Sequence, residues 1–92
     1  MNLADAERVT ASQLRAARAL LNWSGAELSR RTRLGLRTLR RAEQRDGPLG
    51  MTAANASLVV SVLEAAGVEF VFGEDGRAGV LLHSSPSSTA ER

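Results

Sequence analysis

The chain has no cysteine, no lysine and no tyrosine, and its only aromatic residues are Trp23, Phe70 and Phe72. Without cysteine, neither a disulfide framework nor a thiolate zinc site can staple the fold. The single histidine, His83, stands alone, and the carboxylates are scattered without a paired arrangement. The usual nucleophiles and general bases are therefore nearly missing, which argues against an enzyme. No apolar run approaches the ~18 residues of a membrane span. The opening MNLADAER also lacks the basic-then-apolar order of a signal peptide. The expectation is a soluble, cytoplasmic chain with no cofactor, no metal site, no membrane contact and no evident small-molecule ligand.

With 92 residues, the chain makes one small domain near the lower limit of what one core supports. Association with a second copy is one source of further burial. Net charge is only +2, but its distribution is uneven. The stretch RRTRLGLRTLRRAEQRD, residues 30–46, holds seven arginines against Glu43 and Asp46, a local +5 that leaves −3 for the rest. Arginine presents a planar fork that pairs bidentately with phosphate or with a guanine edge. Charge concentrated in this way points to a polyanion on one side of the molecule, or to a solvated helix face.

Periodicity and capping signals place the elements. Residues 1–9 carry weak signals and read as an extension prone to fray. Thr10-Ala11-Ser12-Gln13 fits a capping box, after which Leu14, Ala17, Leu20 and Leu21 recur at helical spacing. Ser24-Gly25-Ala26-Glu27 fits a second box, with Trp23 and Leu28 placed as a hydrophobic staple. That helix ends near Thr32, and Arg33-Leu34-Gly35 forms a tight connection to a third helix over residues 36–44. On its wheel Leu36, Arg37, Arg40, Arg41 and Gln44 share one face, with Leu39 and Ala42 opposite. Residues 46–50 read as a loop, and Thr52 caps a fourth helix reaching Ala66, with Ala56, Val59, Val60, Leu63 and Val62 inward. Gly67 supplies a stop. Residues 68–72 and 80–82 alternate as two strands around a Gly-rich loop at 73–79, and residues 83–92 form a Ser/Pro-rich tail with nothing to bury.

The expected fold is mainly α: a compact four-helix domain over residues 10–66, followed by a short C-terminal β-hairpin over 67–82. Two short helices joined by a tight turn, the second basic on its outer face, suggest a helix-turn-helix at about residues 24–44. Trp23, Phe70 and Phe72 read as core rather than as stacking platforms for bases. His83 has no partners for a metal site, and the 73–79 loop has the wrong ligand spacing for calcium.

Residues 14–43 resemble the phage-repressor-like (Cro/XRE) family of helix-turn-helix domains. The resemblance rests on Ala26-Glu27-Leu28-Ser29 in the second helix, Leu34 in the turn, and Thr38-Leu39-Arg40-Arg41-Ala42-Glu43 at the end of the recognition helix. It covers about a third of the chain. Arg33 and Gly35 depart from it, because the family usually has Gly and then a Ser or Thr cap there. The resemblance implies that the third helix enters the major groove, with Leu36, Arg37, Arg40 and Arg41 reading base edges. It implies phosphate contacts from Ser24, Gly25, Arg30, Thr38 and Arg45. It also implies a structural ion pair between Arg18 and Glu43.

The expected function is a sequence-specific transcriptional regulator that binds double-stranded DNA, bacterial in type and nucleoid-associated when bound. A two-stranded hairpin is marginal alone, so Val68, Phe70, Phe72, Val80 and Leu82 are candidates for homodimerisation. The alternative is a protein-interaction module, an antitoxin or an adaptor, that keeps this fold to contact another regulatory protein. Steep salt dependence of DNA affinity separates the two readings.

Overall fold

The computed structural model describes residues 3–83. In chain order these form α1 (Leu3–Ala6), α2 (Ala11–Leu21), α3 (Gly25–Thr32), α4 (Leu36–Glu43), α5 (Ala53–Ala65), β1 (Val68–Phe72) and β2 (Ala78–Leu82). The expected four-helix domain and C-terminal hairpin are present, with one added turn of helix at the front. Among the described residues no helix is long and apolar enough to cross a membrane. The expected tail lies outside the described residues except for His83.

Three of the helices, α2, α3 and α5, start where a side chain satisfies a free N–H group. At α2 the Thr10 hydroxyl accepts from the Gln13 N–H (3.1 Å), and the Gln13 side-chain oxygen accepts from the Thr10 N–H (3.0 Å). This box is complete. At α3 the Ser24 hydroxyl accepts from the Glu27 N–H at 3.0 Å, but the box is not closed. The Glu27 carboxylate turns forward to Arg30 and Arg31 instead. Two charge-assisted bonds outcompete one to a main-chain N–H. Those arginines hold the Glu27 carboxyl below its usual pKa, Arg31 contributing most. Thr52 caps α5 in the same manner as Ser24.

The α3–α4 turn runs through Arg33 at φ 64°, a left-handed conformation that favours glycine. Neighbouring side chains stitch it together. The Ser29 hydroxyl donates to the Leu34 carbonyl at 2.6 Å. The Thr32 hydroxyl donates to the Leu28 carbonyl (2.8 Å) and accepts from the Leu34 N–H (3.2 Å). These bonds offset a left-handed arginine, which costs on the order of 1 kcal/mol. They also secure the entry to α4, whose Gly35 cap makes no side-chain bond.

The core joins Leu14 and Ala17 of α2, Leu28 of α3, Leu39 of α4, Val59, Val60 and Leu63 of α5, and Val68 and Phe70 of β1. Full burial of such side chains contributes roughly 1.5–3 kcal/mol each. This explains why α5 is helical despite its β-branched valines, whose intrinsic propensity is lower by tenths of a kcal/mol only. Leu20, expected inward, is exposed, because at ~3.6 residues per turn it lies about 120° round α2 from the buried Leu14. Val62 is only half-buried.

The described part of the N-terminal segment, residues 3–9, differs from expectation. Ala6 and Val9 are fully buried, α1 packs on α5, and the Arg8 guanidinium lies 4.3 Å over the Phe72 ring. The Ala11 N–H donates to the Gly47 carbonyl at 2.9 Å, tying this segment to the loop after α4. Two small apolar residues give too little periodicity to announce that packing.

Gly67, at φ 109°, turns the chain from α5 into β1. The strands pair antiparallel, Phe70 opposite Val80 and Val71 opposite Gly79. The pairing includes Ala78 and Gly79, which had read as loop. Gln13, the capping residue of α2, explains the extension. Its side-chain amide donates to the carbonyls of both Val71 and Gly79 at 3.0 Å, clasping the two strands from beneath. His83 continues the hairpin, donating its N–H to the Gly67 carbonyl (2.8 Å) and placing its ring nitrogen 2.7 Å from Glu69.

Candidate nucleic-acid interface

The helix that carries the arginine stripe is fixed by its inner face and by its C-terminal end. Leu39 and Ala42 are buried. At the end of α4, the Arg18 guanidinium grips the Glu43 carboxylate with two bonds of 2.7 and 2.8 Å. A third bond from Arg18 reaches the Trp23 carbonyl at 3.0 Å, where α2 passes into α3. The pair is mostly out of solvent, with Arg18 22% and Glu43 12% exposed. The bond to Glu43 raises the Arg18 pKa against the opposing effect of burial. The arrangement implied by the resemblance is thus present, and it also reaches the start of α3.

Arg15, one turn earlier on α2, adds a second grip that the sequence reading missed. It donates to the Glu43 main-chain carbonyl at 2.7 Å, and also to Asp46 (3.0 Å) and Ser12 (3.1 Å). The first bond occupies one of the free carbonyls that every helix end leaves. The signal was the spacing: Arg15 and Arg18 lie three apart on one helix face, aimed at the same end of α4. Nothing local identified a main-chain carbonyl as the target.

Outside these grips the arginines divide sharply. Six of the eleven described arginines have a carboxylate partner: Arg8, Arg15, Arg18, Arg30, Arg31 and Arg77. The other five, Arg33, Arg37, Arg40, Arg41 and Arg45, have none among the described residues, and all five are exposed. They belong to α4 and its immediate flanks. Arg37, Arg40, Arg41 and Gln44 line one shallow groove on the outer face of α4. Arg40 also lines a cleft with Ser24, Gly25 and Leu36, where the starts of α3 and α4 meet. Arg41 and Arg45 border a third hollow with Pro48 and Gly50. The three depressions share residues and form one continuous basic surface.

The remaining expected site residues fall less simply. Leu36 is half-buried, its δ-carbon lying where a side chain on Gly25 would reach to 3.2 Å. Leu36 therefore packs over the start of α3 and presents only part of its surface outward. The Ser24 hydroxyl is engaged as a cap, although the first N–H groups of α3 remain at the cleft. Arg30 is bound to Glu27, and Arg31 shares that carboxylate while lying 4.2 Å over the Trp23 ring. Thr38 is half-buried near the turn. Among the dimerisation candidates, Val68 and Phe70 are 3% and 5% exposed and belong to the chain's own core. Phe72 and Val80 pack against that core, whereas Leu82 is exposed beside Leu81, which the sequence reading did not single out.

Chemically, this surface offers the guanidinium forks of Arg37, Arg40, Arg41 and Arg45, none paired with a carboxylate among the described residues, three of them on a helix locked against rotation and the fourth just past its end. No group of acids and histidine that could hold a metal occurs among the described residues. Comparison with known proteins finds no matching family model, curated protein or solved structure.

Proposed function

We propose that the chain is a sequence-specific, double-stranded DNA-binding transcriptional regulator of the phage-repressor-like kind, working as a homodimer with α4 in the major groove. One observation carries the reading. Every described arginine outside residues 33–45 is paired with a carboxylate, while the five within that stretch are left for something negative from outside. An α-helix fits the major groove, and a bidentate arginine–guanine contact contributes ~1–3 kcal/mol of discrimination. Arg37 and Arg41 are the base readers. Arg40, placed where the outer face of α4 meets the start of α3, serves either a base or a phosphate. The N–H groups at Gly25, opening α3, face a backbone phosphate. Arg45 and Arg33 contact phosphates on either flank, where they set register rather than sequence.

The test is a fluorescence-anisotropy titration against the DNA upstream of the chain's own gene and against a shuffled duplex, at two salt concentrations. The reading expects a preference of ~10³-fold or more for the upstream DNA, the low end for specific readers. It also expects a steep loss of affinity with salt. Equal, salt-sensitive affinity for both duplexes removes the upstream DNA as the preferred target. Absence of binding at low salt overturns DNA recognition and turns attention to a protein partner.

A further inference from the structure

The hairpin has one open edge. The His83 N–H bonds the Gly67 carbonyl and the Gly73 N–H bonds the Arg77 carbonyl. Hydrogen-bonded pairs alternate along an antiparallel ladder, so Glu69–Leu81 and Val71–Gly79 are the bonded pairs between. Ala78, Val80 and Leu82 must then point their N–H and C=O groups away from β1. None of these groups has a partner among the described residues, and Ala78 and Leu82 are exposed. Of the equivalent residues of β1, Val68 and Phe70 are buried and Phe72 is half-buried, so that edge is largely covered.

Proteins usually protect an open edge with a charge, a proline or a bulge. β2 reads AGVLL and has none of them. It carries two of the most exposed large apolar side chains of the described chain, Leu81 at 53% and Leu82 at 45%. The order of residues suits one occupant in particular. Laid antiparallel against itself and centred on Val80, the strand sets Leu82 opposite Ala78 and Leu81 opposite Gly79, on opposite faces of the sheet. Large meets small at every non-central pair, in both directions, and no like charges meet across the axis. The three outward residues of each strand would then exchange about six main-chain hydrogen bonds.

We infer that a second copy of this chain docks on the β2 edge, joining the two hairpins into one four-stranded antiparallel sheet with its two-fold axis at Val80. The inference takes from the proposed function only the need for a second copy. Such a joint is isologous, the symmetry that a pair of recognition helices facing a pseudo-palindromic site requires.

Sedimentation velocity on the full chain without DNA, over a concentration series, tests it. The wild type is expected to form a reversible dimer in the micromolar range. Leu81→Lys keeps the hairpin, because the new ammonium sits opposite Glu69 across the strand pair, and is expected to weaken the dimer by ~10-fold or more. Ala78→Leu is the sharper variant. It adds exposed apolar surface to the monomer yet sets leucine against leucine in the joint, so self-association should weaken too. General stickiness predicts the reverse. A wild type that stays monomeric overturns the inference, as does a dimer strengthened by Ala78→Leu or left intact by both variants. Circular dichroism of each variant confirms that the fold persists. A monomer that still prefers its upstream DNA leaves the functional reading standing, and a dimer without DNA affinity leaves the edge pairing standing.

Discussion

Two neighbouring helices use the same residue type to opposite ends. On α2, Arg15 and Arg18 turn toward the end of α4, and each finds a carboxylate within 3.0 Å. On α4, Arg37, Arg40 and Arg41 turn away from the core and find none among the described residues. The guanidinium group is identical in all five. What differs is whether the fold brings an acid within reach, and that decides whether an arginine holds the structure or is left for a partner. Glu43 makes the division clear. It is the only acid on α4, and it faces inward to Arg18 rather than lying among the outward arginines.

This contrast can be broken from either side, and the largest effect is expected on α2. Arg18→Ala strands a mostly buried carboxylate and removes the bond to the Trp23 carbonyl, at a cost of about 2–3 kcal/mol. For a domain of this size that lowers the melting temperature by ~10 °C or more in a thermal melt. An unchanged melting temperature would show that the grip is not what fixes α4. Arg37→Ala and Arg41→Ala should behave in the converse way. Each is expected to leave stability within ~0.5 kcal/mol and to lose ~1–3 kcal/mol of affinity for the preferred duplex, read by anisotropy. Arg45→Ala should weaken all duplexes alike and reduce the salt slope by ~1.

How much of this contrast was legible beforehand follows from the range of the forces involved. The caps at Thr10, Ser24 and Thr52 act over three residues, so local sequence displays them, and the helix starts follow. The arginine stripe is a periodic pattern and is equally visible. The incomplete box at Glu27 was not, because Arg30 and Arg31 compete for the same carboxylate and only geometry decides between them. The grip of Arg15 on the Glu43 carbonyl and the clasp of Gln13 on the hairpin cross 28 and at least 58 positions of chain. Their targets are main-chain carbonyls, which every residue has and no sequence pattern marks. The same blindness hid the packing of Ala6 and Val9, and it misassigned Val68 and Phe70 to an interface when they complete the core.

Smaller effects sharpen the comparison. Arg15→Ala removes a more exposed grip, so a loss nearer ~1 kcal/mol is expected by denaturant titration. An effect as large as that of Arg18→Ala would mean that the helix end, rather than the buried pair, positions α4. The smallest effect concerns pH. Because Arg31 and Arg30 depress the folded-state pKa of Glu27, its stabilising contribution is complete above the unfolded value and fades as pH falls through the folded one. Acid titration of Glu27→Gln against the wild type should therefore show the two stabilities converging at low pH, with the wild type ahead near neutrality. A gap that widened on acidification would reverse the assignment.

The most direct test of the central claim is made on the Arg37→Ala, Arg41→Ala double variant, with melting temperature and DNA affinity measured on the same preparation. The account predicts a melting curve that overlays the wild type, and an affinity for the preferred duplex that falls to the level of a shuffled one. A double variant that retains its preference for the upstream duplex would contradict the claim that the unpaired arginines of α4 read DNA.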